Sequence, residues 1–118
     1  MSKGPLFEKS MDFAVRMVNL ARYLRKKKES IMAKQVLRSG TAIGALIREA
    51  NHAESRADFV HKLSIALKEA HETEYWIELL FRTGYFDVKM FKSINSDCSE
   101  LVGMLVKSIK TTKGNAGK

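Results

Sequence analysis

Cysteine occurs once in the chain, at Cys98, and proline once, at Pro5. A lone cysteine excludes an internal disulfide and fits a reducing, cytoplasmic setting. With no proline after position 5, no helix breaker of that kind interrupts the rest of the sequence. Long hydrophobic runs are missing as well: nothing approaches the ~20 apolar residues that a membrane span requires. The opening Gly4-Pro5 leads into Leu6-Phe7-Glu8-Lys9, which leaves no room for the apolar stretch of a signal peptide. Aromatic residues make up only 8%, and no run of them marks a base-stacking platform. No segment alternates apolar and polar residues as a half-buried strand does. These absences point to a soluble cytoplasmic protein built from helices, with no membrane association.

What is present is charge, and it is unevenly placed. The net charge is +8. Residues 1–48 hold 11 Lys/Arg against 3 Asp/Glu, a surplus of eight, whereas residues 49–118 hold 10 of each. The whole excess therefore lies in the first 48 residues. If those segments share a face, they make a basic surface suited to RNA, DNA or an acidic protein; otherwise the excess is a solvated surface that aids solubility.

At 118 residues the chain is one domain, long enough to bury roughly two thirds of the surface its unfolded form exposes. Four amphipathic segments fill it, at about 7–28, 30–53, 56–83 and 88–110, followed by a flexible tail at 111–118. In the first, Phe7, Met11, Ala14, Val18 and Ala21 form one apolar row, and Phe13, Met17, Leu20 and Leu24 run beside it. Together they cover about half the helix circumference, more than one partner helix requires. In the second, Val36, Gly40, Ile43, Ile47 and Ala50 form a row in which Gly40 and Gly44 mark the close passage of a neighbouring helix. Ser55 caps the third, with Asp58 three residues on. Its row is Phe59, Leu63, Ala66, Ala70, Thr73, Ile77 and Leu80, and Gly84 supplies the stop. Asp87 caps the fourth, with Phe91, Ile94, Cys98, Leu101 and Leu105 as its row. Three short connections between long helices force antiparallel neighbours, so the expected fold is an all-α, up-and-down four-helix bundle.

The residues able to carry chemistry do not assemble into a catalytic pattern. Glu49-Ala50-Asn51-His52 matches one di-iron motif and Asp58-Phe59-Val60-His61 is a carboxylate variant. Both histidines fall near helix ends, however, and the first helix offers only Glu8 and Asp12 on its polar side. No metal or other cofactor is expected. Cys98, on an apolar row, reads as a core residue rather than a nucleophile. The third helix does carry one unusual strip, Ile65, Glu69, Glu72 and Trp76, beside its core row. Carboxylates there are costly unless paired. The expected polar network joins Gln35, Arg38 and Glu49 of the second helix to Glu69 and Glu72, with Arg38 meeting a carboxylate in a buried pair covered by Trp76.

Two motifs carry a resemblance. Gln35-Val36-Leu37-Arg38-Ser39-Gly40-Thr41-Ala42-Ile43-Gly44-Ala45 with Glu49-Ala50 is one. Ser55 to Phe59 with Ile65-Ala66-Leu67-Lys68-Glu69-Ala70 and Glu72-Thr73-Glu74-Tyr75-Trp76 is the other. Over about residues 7–110 the chain resembles the four-helix-bundle proteins of 23S ribosomal RNA intervening sequences, which are similar in outline to accessory bundle proteins of diversity-generating retroelements. It departs from that pattern at Leu46, where Asn is common, and at Ala42, where Ser is common.

The resemblance implies a small bundle that assembles as a ring, a pentamer in particular, and binds nucleic acid. On that expectation Arg16, Arg22, Arg25, Lys26, Lys27, Lys28 and Lys34 are the candidate phosphate contacts. The second row of the first helix, Phe13, Met17, Leu20 and Leu24, either faces a neighbour within the bundle or packs against another subunit. The leading expectation is a non-enzymatic homo-oligomer that binds RNA or DNA. The alternatives are a scaffold recognising an acidic protein and, more weakly, an enzyme using Glu69 and Glu72.

Overall fold

The computed structural model describes residues 4–116 and contains four helices: α1 (Gly4–Lys26), α2 (Ser30–Ala50), α3 (Arg56–Arg82) and α4 (Val88–Ala116). Among the described residues there is no strand. The helices run up and down in chain order within an envelope of 51 × 23 × 22 Å. Contacts are dense between α1 and α2, α2 and α3, and α3 and α4, and sparse between α1 and α4. The bundle is therefore tightly packed along the chain and loose where it closes on itself.

The ends of the helices follow local chemistry. Ser55 Oγ accepts the Asp58 backbone N–H at 3.0 Å, and Asp58 Oδ2 accepts the Glu54 N–H at 3.3 Å. Asp87 Oδ1 accepts the Met90 N–H at 2.7 Å. Both caps stand where the sequence places them. The cap of α2 is Glu29, whose carboxylate accepts the Met32 N–H at 3.1 Å. Two ends share one geometry. Gly84 has φ +90°, with Gly84 N donating to Phe81 O and Tyr85 N to Leu80 O. Lys28 takes the same left-handed role at φ +65°, with Lys28 N donating to Arg25 O and Glu29 N to Leu24 O.

Three boundaries differ from expectation. α1 begins at Gly4, because Pro5 in a first turn loses no hydrogen bond and its fixed φ suits the helix. α2 stops at Ala50, and residues 51–53 form a turn. α4 continues to Ala116, through residues expected to be a flexible tail, and Thr112 Oγ1 donates to Ser108 O at 2.8 Å. The rest of that expected tail, residues 117–118, lies outside the described residues.

The core takes one row from each helix. On α2, α3 and α4 it consists of the residues the periodicity selects, from Val36 and Ile43 through Leu63 and Ile77 to Cys98 and Leu105. On α1 the inward row is Phe13, Met17, Leu20 and Leu24, all buried. This corrects the reading of that row as a subunit interface: those side chains already fill the centre of their own bundle. Ser10 turns towards α2, where Gly44 admits it. Gly40 faces Met17 and Gly44 faces Ser10, so backbone stands where a larger side chain would collide. Met11, Val15 and Val18 are left 40, 54 and 36% exposed. The surplus apolar surface of α1 is thus real, but it belongs to the outer row.

A buried polar pair crosses the core. Thr73 Oγ1 lies 2.8 Å from both Ser39 Oγ and the Glu69 carbonyl. Among the described residues no buried side-chain nitrogen or oxygen is left without a partner.

Candidate nucleic-acid interface

The antiparallel order brings the end of α1, the start of α2, the end of α3 and the start of α4 to one end of the bundle. Arg22, Arg25, Lys26, Lys27, Lys28 and Lys34 are all exposed there. Among the described residues none of the six belongs to an ion pair; Lys27 Nζ lies 5.6 Å from the centre of the Tyr23 ring. Glu29 is committed nearby, accepting from Met32 N and from Tyr85 Oη at 3.1 Å. The Tyr85 hydroxyl is pushed above its ordinary pKa by desolvation and then by that carboxylate.

Arg16 is different and drops out of the set. Its Nη1 donates to Asp97 Oδ2 at 2.6 Å and its Nη2 to Ser93 Oγ at 2.8 Å. It ties α1 to α4, and a carboxylate already neutralises it. The sequence missed Lys89 and Lys92, exposed in the first turns of α4 at the same end as the six. Both lie in the charge-balanced half of the chain, so counting by segment concealed them.

The expected polar network forms in part. Arg38 reaches Glu69 Oε1 at 3.3 Å and also Glu72 Oε2, while Gln35 Oε1 accepts from Arg38 Nε at 3.4 Å. Trp76 Nε1 donates to Glu72 Oε2 at 2.9 Å. Two corrections follow. Arg38 is 48% exposed at its side chain, so this is a half-solvated seam between α2 and α3 rather than a buried pair. Glu49 is not part of it. It lies about three turns further along α2 and pairs with Lys62 at 3.1 Å. That partner raises the Lys62 pKa through a hydrogen bond and charge.

Chemistry elsewhere is sparse. Cys98 is buried, its Sγ 3.5 Å from the Ala70 carbonyl, and its pKa is pushed up to about 12 by desolvation and then by Glu74 and Asp97. At neutral pH it is a thiol. Among the described residues no group of three or more His, Cys, Asp or Glu side chains is placed to hold a metal ion. No helix of the described residues is long and apolar enough to cross a membrane.

A groove of about 440 Å³ lies between α1 and α4, beside the basic end; a more open and more polar hollow of about 430 Å³ lies among Arg48, Glu49, His52, Glu54, Asp58 and Lys62. Leu20, Phe86 and Ile94 make the groove's apolar floor, and Tyr23, Tyr85, Asn19 and Asp87 stand around it. Tyr23 Oη donates to the Tyr85 carbonyl at 3.2 Å across the gap.

Fold and surface together define a class: a small antiparallel four-helix bundle with a cluster of six exposed, unpaired cations at one end. Within that class the chain belongs to the family of 23S rRNA-intervening sequence proteins, whose model matches residues 4–107. It is similar, at 56% identity and a TM-score of 0.88, to a crystal structure from Bacteroides thetaiotaomicron VPI-5482. That structure is of a protein with unknown function from the S23 ribosomal protein family; the match covers 90% of this chain and 99% of that one. A comparison with curated proteins gives no match.

Proposed function

We propose that this protein is a non-enzymatic, self-associating bundle that binds nucleic acid through phosphate contacts at its basic end. The observation that carries this reading is the cluster of six exposed, unpaired cations at one end of the bundle. Arg16 and Arg38 are neutralised by carboxylates on α4 and α3, whereas Arg22, Arg25, Lys26, Lys27, Lys28 and Lys34 keep their charge free for a partner. Unpaired cations in one region attract a polyanion and release its condensed counterions on binding. Self-association would multiply the basic end, so that weak individual contacts act together. The exposed Met11, Val15 and Val18 of α1 offer a surface for it.

A salt titration tests the phosphate reading. Six contacts predict a log–log slope of affinity against salt of about −4 for single-stranded RNA. Changing Lys26, Lys27 and Lys28 to Glu should weaken binding sharply and flatten that slope by about half. No binding of RNA or DNA by the wild-type protein at low salt would overturn the proposal. Recovery of one acidic protein from nuclease-treated lysate, with no nucleic-acid affinity, would favour a scaffold instead.

A further inference from the structure

We infer that the groove between α1 and α4 is a nucleobase pocket, taking one unstacked base of a single-stranded nucleic acid whose phosphates lie on the basic end. This rests on the phosphate-binding reading above and adds what that reading lacks, a means of telling single strands from duplex.

Two polar contacts bound the groove along α1. Tyr23 spans to the Tyr85 carbonyl near the end of the bundle. Arg16 spans to Asp97 and Ser93 two turns further down. Seven residues of α1 separate the bridges, about 10 Å along the helix. Between them lies a space of about 440 Å³, within the range of small-ligand sites.

The lining matches a planar heterocycle with apolar faces and polar edges. Leu20, Phe86 and Ile94 offer a dry floor, and the half-exposed Tyr23 offers a ring to stack on. Asn19 and Asp87 provide polar groups at the sides, an amide that donates and accepts and a carboxylate that accepts. A purely aliphatic occupant would leave these groups unused.

Charge complementarity ties the groove to nucleic acid. Lys27, part of the basic run, stands with its ammonium 5.6 Å from the centre of the same Tyr23 ring that lines the groove. One side chain thus joins the phosphate region to the aromatic wall, over a distance comparable to the span from a nucleotide's phosphate to its base. Bases within a duplex are stacked and paired and cannot enter.

The experiment compares single-stranded RNA with duplex RNA of the same composition on wild-type protein and three variants. Tyr23→Ala should weaken single-strand binding by about 5- to 150-fold, the range for loss of one stacked base, and leave duplex binding unchanged. Tyr23→Phe keeps the ring, loses the bridge to Tyr85 and should bind single strands like wild type. The Lys26, Lys27 and Lys28 to Glu variant should lose both ligands. Unchanged single-strand affinity in Tyr23→Ala, or equal losses for single strand and duplex, overturns the base pocket while the phosphate reading stands. Failure of the wild-type protein to bind either ligand overturns both. Circular-dichroism melting confirms that each variant is folded; should Tyr23→Ala not fold, Asn19→Trp, which plugs the groove from an exposed position, must selectively weaken single-strand binding or the pocket is refuted.

Discussion

Gly40 and Gly44 stand one turn apart on the same side of α2 and face the same neighbour, yet their surroundings predict opposite responses to alanine. A Cβ at Gly40 would collide with Met17 Cγ and come within 2.7 Å of its sulfur, and Met17 is fully buried with nowhere to retreat. At Gly44 the nearest atom is the Ser10 carbonyl oxygen at 3.4 Å, an ordinary contact. Alanine gains about 1 kcal/mol over glycine in a helix interior, whereas overpacking costs about 1–3 kcal/mol. Gly40→Ala should therefore lower stability by up to about 2 kcal/mol, and Gly44→Ala should raise it by up to about 1 kcal/mol. Thermal denaturation reads the two signs directly. Both glycines signal close packing in the sequence; only the position of Met17 distinguishes them. Cys98 gives a second residue-scale expectation. Its folded pKa, about 12, lies above that of an unfolded thiol, so the folded state holds the proton more tightly. The stability this contributes is fully present below the unfolded value and is lost as pH rises through about 12. Cys98→Ala should accordingly lose less stability than wild type across that alkaline interval, and a thiol reagent near neutral pH should label wild type only in denaturant.

At the scale of the element, the end of α1 carries a conflict. The chain reverses there through a left-handed residue, and that residue is Lys28 rather than glycine. A non-glycine residue in this conformation costs about 1 kcal/mol. Lys28→Gly should raise stability by about 0.5–1 kcal/mol, measured by denaturant unfolding, while removing one cation from the basic end. The equivalent position after α3 is Gly84, where no such gain remains. Caps were legible at Ser55 and Asp87 because a small polar or acidic residue stands immediately before an apolar run. Glu29 was not, because it follows the basic run of α1 and reads as part of it. Its role emerges in the fold, where one oxygen caps α2 and the other meets Tyr85, fifty-six residues away. The inward row of α1 was left open by the sequence for a related reason. An apolar arc of half the circumference is compatible with several inward directions, and the pattern within one helix cannot choose among them.

At the scale of the whole molecule, the arrangement separates three surfaces. The basic end collects cations from α1 and α2 and adds Lys89 and Lys92 from α4. The α2–α3 seam is closed by Arg38 with Glu69 and Glu72, and the outer side of α1 presents Met11, Val15 and Val18. If that outer side joins subunits, changing Met11 and Val15 together to Glu should leave unfolding stability nearly unchanged, within about 0.5 kcal/mol per site. The same change should shift sedimentation towards the monomer. A wild-type protein that sediments as a monomer at micromolar concentration, or a double variant that still assembles, would rule this surface out.

The sequence by itself determined the helical class, the four segments, most of their caps and the inward rows of α2, α3 and α4. Those depend on spacing within one helix and on residues adjacent in the chain. It also located the charge surplus and six of the cations that cluster unpaired at one end. Tertiary structure decided which row of α1 turns inward and that Arg16 is spent on Asp97. It decided too that Arg38 is half-solvated and that Tyr23 and Tyr85 meet across a groove. Each of these depends on the angle at which one helix faces another and on the looseness of the α1–α4 closure. No pattern within a single segment records either.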